Sequence, residues 1–144
     1  WRTMPLALYH PEVAIRTLRF IEGRETVKAL RRGSQEEQEQ RIRTYWQDRD
    51  PTPGTVFNEL MAEYYRRVDH AASAFRTAQA PVPDGLTTDA ARVYVAYGPP
   101  DRVERSYPGR GGVEAVWHYE DGRRFVFWAP TSLDPMQLQA RPVR

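Results

Sequence analysis

Residues 84–104 read "DGLTTDAARVYVAYGPPDRVE", and the fold turns on what lies between Gly85 and Gly98-Pro99-Pro100. Thr88 followed by Asp89 is a helix-start pattern. The hydroxyl can accept an orphan amide of the first turn, and the carboxylate favours the positive end of the helix dipole. Gly98 suits the residue just past a helix end, and the two prolines forbid continuation. Yet "ARVYVAY" is rich in β-branched and aromatic residues and would also suit a strand. Both readings stand at this point. The two ends favour a helix over 88–97, with Gly98 and Pro100 as its stop.

Upstream, the sequence is helical. "SQEEQEQRIRTYWQDRD" (34–50) opens with a capping-box pattern, Ser34 and Glu37. Glu37/Arg41 and Glu39/Arg43 sit in the favourable acid-before-base order four apart, and Ile42, Tyr45 and Trp46 supply a buried side. In "DPTPGTVFNELMAEYYRRVDHAASAFRTA" (50–78), Thr52 as cap and Pro53 at the first position start a second helix. Phe57, Leu60, Met61, Tyr64, Val68, Ala71, Ala72 and Phe75 give it an apolar face with helical period. A short helix is expected over 25–32, stopped by Gly33. Residues 1–23 show neither helix nor strand period, with Val13, Leu18, Phe20 and Ile21 as candidate core. "QAPVPDG" (79–85) reads as a linker.

Downstream, the sequence is β. "VERSY" (103–107), "VEAVWHYE" (113–120) and "RRFVFWA" (123–129) are strand-like, and Asp121-Gly122 marks a hairpin turn. "MQLQARP" (136–142) adds an edge strand. Alternation sets Val116 and His118 opposite Ala115, Trp117 and Tyr119. The fold class is therefore α+β: a helical hairpin, a short helix, and an antiparallel sheet of three to four strands covered on one side.

Composition narrows function more by exclusion. The chain has 144 residues, 40% of them hydrophobic, and a net charge of +2. Without cysteine there is no disulfide, thiol catalysis or Cys-based metal site. No run of about 18 apolar residues exists to span a membrane. All 21 basic residues except Lys28 are Arg, a bias of composition rather than a nucleic-acid signature, so no nucleic acid is expected. The chain opens at Trp1, which is the expectation for a processed or trimmed terminus with a signal or anchor upstream.

Candidate chemistry is sparse. His10, His70 and His118 lack metal-ligand spacing, and no Gly-rich elbow surrounds Ser73. Asp89 and Asp101 flank the Gly-Pro-Pro turn and, with Arg92, are the pair a hydrolase would use; capping is the competing role. Arg49-Asp50 precedes a helix start, where an anion could bind or a corner be fixed. "PGRGG" (108–112) lacks the context of a phosphate loop. Trp117, Tyr119, Phe125 and Trp128 could anchor a protein partner on an open sheet face, or stack single-stranded nucleic acid.

Together these blocks resemble the GWxTD domain, a family of exported or envelope-associated bacterial proteins, over about residues 18–129. The resemblance rests on Trp46, Arg49-Asp50-Pro51, Asn58-Glu59 and Tyr65-Arg66-Arg67, then on Gly85, Thr88 and Asp89 of the signature. Leu86 replaces the signature Trp, and Ala90-Ala91 replaces the usual Arg-Gly. Residues 85–129 also resemble, more weakly, small outer-membrane lipoproteins of β-barrel assembly, which are two-helix, three-stranded binding modules. The resemblance implies no catalytic residue, cofactor or metal. It implies one GWxTD-like domain over 1–144, with a helical part at 18–80 and helix plus sheet at 85–144. The expected function is a non-catalytic protein–protein interaction domain, periplasmic or membrane-associated, with a protein partner in an envelope complex.

Overall fold

The computed structural model describes residues 5–55, 58–76 and 85–139, without the side chains of Leu6 and Ala7. The chain forms two compact units, Trp1–His70 and Ala71–Arg144.

The first unit is helical. A 3-10 turn, Leu6–Tyr9, leads into α1 (Pro11–Arg16), a second 3-10 turn (Thr17–Phe20), α2 (Arg24–Leu30), α3 (Gln35–Gln47) and the first part of α4 (Glu59–Ala74). Pro11 stands in the first turn of α1, where its missing N–H costs nothing. Thr17 ends that helix by donating its hydroxyl to Val13 O at 2.9 Å. These short, tightening turns are why no single period was visible in residues 1–23. Ala14, Ile15 and Leu18 are buried there, while the expected Ile21 is exposed and Val13 and Phe20 are half-buried.

Gly33 stops the α2 segment with φ +86°, and Ser34 caps α3 by accepting Glu37 N at 3.3 Å. The Glu37–Arg41 pair forms at 3.5 Å. The expected Glu39–Arg43 pair does not: Arg43 donates to Gln40 Oε1 instead. The start expected for α4 at Thr52-Pro53 is corrected by six residues. Met61 N donates to Asn58 Oδ1 at 3.0 Å, so Asn58 is the cap. Thr52 has another use: its N–H donates to Asp50 Oδ1 and its hydroxyl to Glu59 Oε2. Phe57 lies outside the described residues, and Leu60 is 47% exposed. Tyr65, absent from the expected apolar face, is fully buried.

Four rings fill this unit. Tyr45, Trp46, Tyr64 and Tyr65 stack with centroids 5.1–5.6 Å apart, mostly edge to face as ring quadrupoles prefer. Each polar tip is satisfied. Trp46 Nε1 donates to Tyr65 Oη at 3.2 Å, and Tyr65 donates on to Ala14 O at 2.8 Å. Tyr64 donates to Thr17 O, and Tyr45 to Glu22 Oε1, both at 2.6 Å.

The second unit confirms the helix reading of 88–97. A 3-10 turn, Gly85–Thr87, precedes α5 (Asp89–Tyr97), capped by Thr88 accepting Ala91 N at 3.1 Å and closed by Gly98 at φ 84°. Four antiparallel strands follow in order β1-β2-β3-β4: Arg102–Ser106, Val113–His118, Arg124–Ala129 and Gln137–Leu138. Gly122 at φ 89° makes the β2–β3 turn. Register aligns Val103, Trp117 and Phe125 across one face and Glu104, Val116 and Val126 across the other. Ala90 and Val93 of α5 pack with Trp117 and Phe127, ringed by Phe75, Tyr94, Phe125, Met136 and Leu138. β1 is exposed along its whole length.

Two outcomes follow from the buried rings. Tyr65→Phe strands the Trp46 N–H and leaves the Ala14 carbonyl only the Thr17 hydroxyl at 3.2 Å, and should lower the free energy of unfolding by about 2 kcal/mol in urea titration. Burial raises the Tyr64 and Tyr65 phenols above their ordinary 10.0, and burial with the Glu22 bond does the same to Tyr45. Their contribution is complete below about pH 10 and is lost as pH rises beyond it, at up to about 1.4 kcal/mol per pH unit for each phenol. Alkaline titration should show three phenolates arising in step with the loss of helical circular dichroism.

Candidate functional site

The signature residues meet at a structural joint. Gly85 passes under the last turn of α4: a Cβ there would stand 2.2 Å from Ala71 O and 2.8 Å from Ala72 O. Close backbone approach, rather than a positive φ, is what requires glycine. Thr88 is buried, donating its hydroxyl to Gly85 O at 2.8 Å while capping α5. Asp89 receives Leu138 N at 2.8 Å through Oδ2 and Arg92 at 3.2 Å through Oδ1. It thereby fixes the edge strand β4 to the start of α5. Leu86, at the signature Trp position, is 7% exposed.

Asp101 does not join Asp89. It lies beyond the other end of α5, about 13 Å along a helix of that length. Its Oδ2 accepts Glu120 N at 2.7 Å, holding the β2–β3 turn. The carboxylate pair imagined around the Gly-Pro-Pro turn is therefore not formed, and Arg92 pairs with Asp89.

The helical-block residues are likewise engaged with their neighbours. Arg49 lies 3.7 Å over the Tyr45 ring, donates to Tyr45 O at 3.0 Å and pairs with Glu22 at 3.3 Å. Asp50 takes the Thr52 amide rather than Arg49. Asn58 Nδ2 donates to Trp46 O at 2.7 Å. Glu59 accepts the Thr52 hydroxyl, which holds its carboxyl below the usual range.

No group of three metal-ligating side chains occurs among the described residues. His118 Nε2 is shielded from solvent, 3.5 Å from Glu104 Oε1 and short of a hydrogen bond. His70 and Ser73 lie on exposed parts of α4.

The four candidate anchors separate. Trp117 is core, 8% exposed, with Phe127 at 4.8 Å. Tyr119 donates to Gly98 O at 2.9 Å, and Phe125 packs on it and on Tyr97. All three face α5 rather than the open side of the sheet. Trp128 alone is on that open side, its Nε1 donating to Gly111 O at 3.1 Å. Gly112 is pressed against it: a Cβ would lie 2.6 Å from Nε1. Residues 108–112 thus hold Trp128, a role their glycine content did not announce.

Exposed groups gather elsewhere. Tyr97 is 44% exposed, Val103 44% and Tyr107 79%. Val103 and Arg105 point to the side that α5 covers farther along the sheet, but neither is covered. Among the described residues, Arg105 has no ion pair. Sequence reasoning assigned "VERSY" to a strand but singled out neither residue, since an exposed edge depends on which strands pair.

The family model described as GWxTD domain matches residues 7–129. No curated protein and no solved structure matches the chain.

Two substitutions distinguish a joint from a catalytic motif. Gly85→Ala should destabilise the protein by about 3 kcal/mol, because backbone atoms must move. Asp89→Ala should abolish hydrogen-exchange protection at the Leu138 amide and leave the β2–β3 amides protected. Unchanged protection at Leu138 would overturn the clamp.

Proposed function

The chain belongs to the GWxTD domain family, and from that premise we propose that it is a non-catalytic protein–protein interaction domain that receives an extended segment of its partner along β1. The observation that carries this is the asymmetry of the sheet edges. At one edge, β4 is two residues long and its Leu138 amide is held by Asp89. At the other, all five residues of β1 are exposed, and no described segment pairs beyond it.

An open edge offers a ladder of backbone donors and acceptors to an added strand, while side chains set the choice of partner. Charged edges resist indiscriminate pairing. A partner strand must therefore meet Val103 with an apolar side chain and Arg105 with an acid two residues away. Tyr107, beside the strand, supplies aromatic area, and Trp128 remains as the anchor on the side away from α5.

Asp89 and Asp101, by contrast, are occupied in holding β4 and the β2–β3 turn, which supports contact over catalysis. The setting we propose is a bacterial envelope complex, the chain serving as its periplasmic part or accessory subunit. That setting rests on the family resemblance, and the absence of a membrane-crossing helix among the described residues agrees with it.

Capture from envelope membranes with the wild type and with Val103→Lys/Arg105→Glu tests this reading. Both positions are exposed, so melting temperature should change little. The expected result is a partner retained at raised salt and lost at least tenfold by the variant, with new exchange protection of β1 amides in the complex. A partner held equally by both proteins would move the contact elsewhere. A folded domain that captures nothing would count against an interaction role altogether.

A further inference from the structure

We propose a second, separate site: a groove along α2 that binds a ligand bearing two or more phosphoryl groups. Arg19, Arg24, Lys28 and Arg31 line a cavity of about 610 Å³, together with Val27 and Glu22. Four cations thus face one carboxylate. That carboxylate is already answered, since Glu22 Oε1 receives the Tyr45 hydroxyl and Arg49.

Three of the four cations have no such answer. The side chains of Arg24, Lys28 and Arg31 have no ion pair with any described residue. The chain's only lysine lies among them.

α2 has little other purpose in packing. None of its seven residues is buried, yet it places positions 24, 28 and 31 along one side. At 1.5 Å rise per residue these span about 10 Å, in steps of about 6 and 4.5 Å. A single small anion cannot touch all three; a ligand with phosphoryl groups in series can. Guanidinium groups engage phosphate oxygens in pairs, and the lysine between them acts as a point charge. Val27, half-buried at the floor, leaves space for a small apolar part. Among the described residues no aromatic side chain lines the groove, so it offers none of the stacking surfaces with which proteins hold unpaired nucleic acid.

The ligand can be free in solution or be the headgroup of an anionic lipid, and two probes separate these sources. Isothermal titration of the full chain with inorganic tripolyphosphate addresses the first. Flotation with phosphatidylcholine vesicles, with and without cardiolipin, whose headgroup carries two phosphates, addresses the second.

Binding to either probe should fall at least tenfold in Arg24→Gln/Lys28→Gln/Arg31→Gln, whose circular dichroism should match the wild type. Lys28→Glu alone should weaken it severalfold. Arg16→Gln/Arg43→Gln/Arg66→Gln, which removes equal charge elsewhere, should bind as the wild type does. The proposal is overturned if neither probe binds more tightly than sulfate, or if the two triple variants lose affinity equally. It is also overturned if a single-stranded oligonucleotide binds more tightly than tripolyphosphate.

Discussion

The hydroxyl of Tyr65 is the constraint around which the helical unit is arranged. It is fully buried, so it must both accept and donate, or leave polar atoms stranded at a cost of about 1–3 kcal/mol each. It does both, taking the Trp46 N–H and giving its proton to Ala14 O. One phenol thereby joins α3, α4 and α1. The carbonyl it reaches belongs to a helix too short to be stable alone. Asn58 extends the same logic, because its amide donates to Trp46 O and accepts Met61 N. A single side chain thus closes the end of α3 and opens α4. Trp46, Asn58 and Tyr65, which carry part of the family resemblance, are used by the fold itself.

The sheet unit repeats this economy at Gly85, Thr88 and Asp89. Glycine permits the backbone to pass the end of α4, threonine begins α5, and aspartate fixes β4. Each role demands a specific residue type, and each polar group is engaged within the fold. The replacement of the signature Trp by Leu86 fits within it: position 86 is buried, so a change there alters packing and not an exposed contact.

Much of this was legible locally. Ser34, Thr88, Gly33 and Gly98 act within a few residues of themselves, and they marked helix ends correctly. The Asp121-Gly122 turn and the alternation around Trp117 likewise needed no distant information. What was hidden depends on separation in sequence. Asp89 meets Leu138 across 49 residues, and Tyr65 meets Ala14 across 51. Thr52-Pro53 satisfied every local rule for a helix start, yet Asn58 prevailed because it also reaches Trp46. The candidate anchors show the same limit. Alternation separated Trp117 and Tyr119 from Val116 and His118, but only α5 decides which face is covered.

Net charge says little about such a molecule, because its two signs are used differently. Asp50, Asp89, Asp101 and Asp121 each accept a backbone amide, and Asp134 and Glu59 each accept a threonine hydroxyl. The short aspartate side chain suits turns, since it reaches an amide two residues on, as Asp50 and Asp121 do. Arginine and lysine carry donors only and cannot take an amide or hydroxyl proton. Several acids are thus engaged by the fold's own amides and hydroxyls, while Arg24, Lys28, Arg31 and Arg105 have no ion pair with a described residue. Where an exposed helix gathers those cations, as α2 does, the local field is strongly positive while the total is +2. The same division leaves Arg105 unanswered on β1, so an acidic group on a partner would meet there a charge that the fold has not already neutralised.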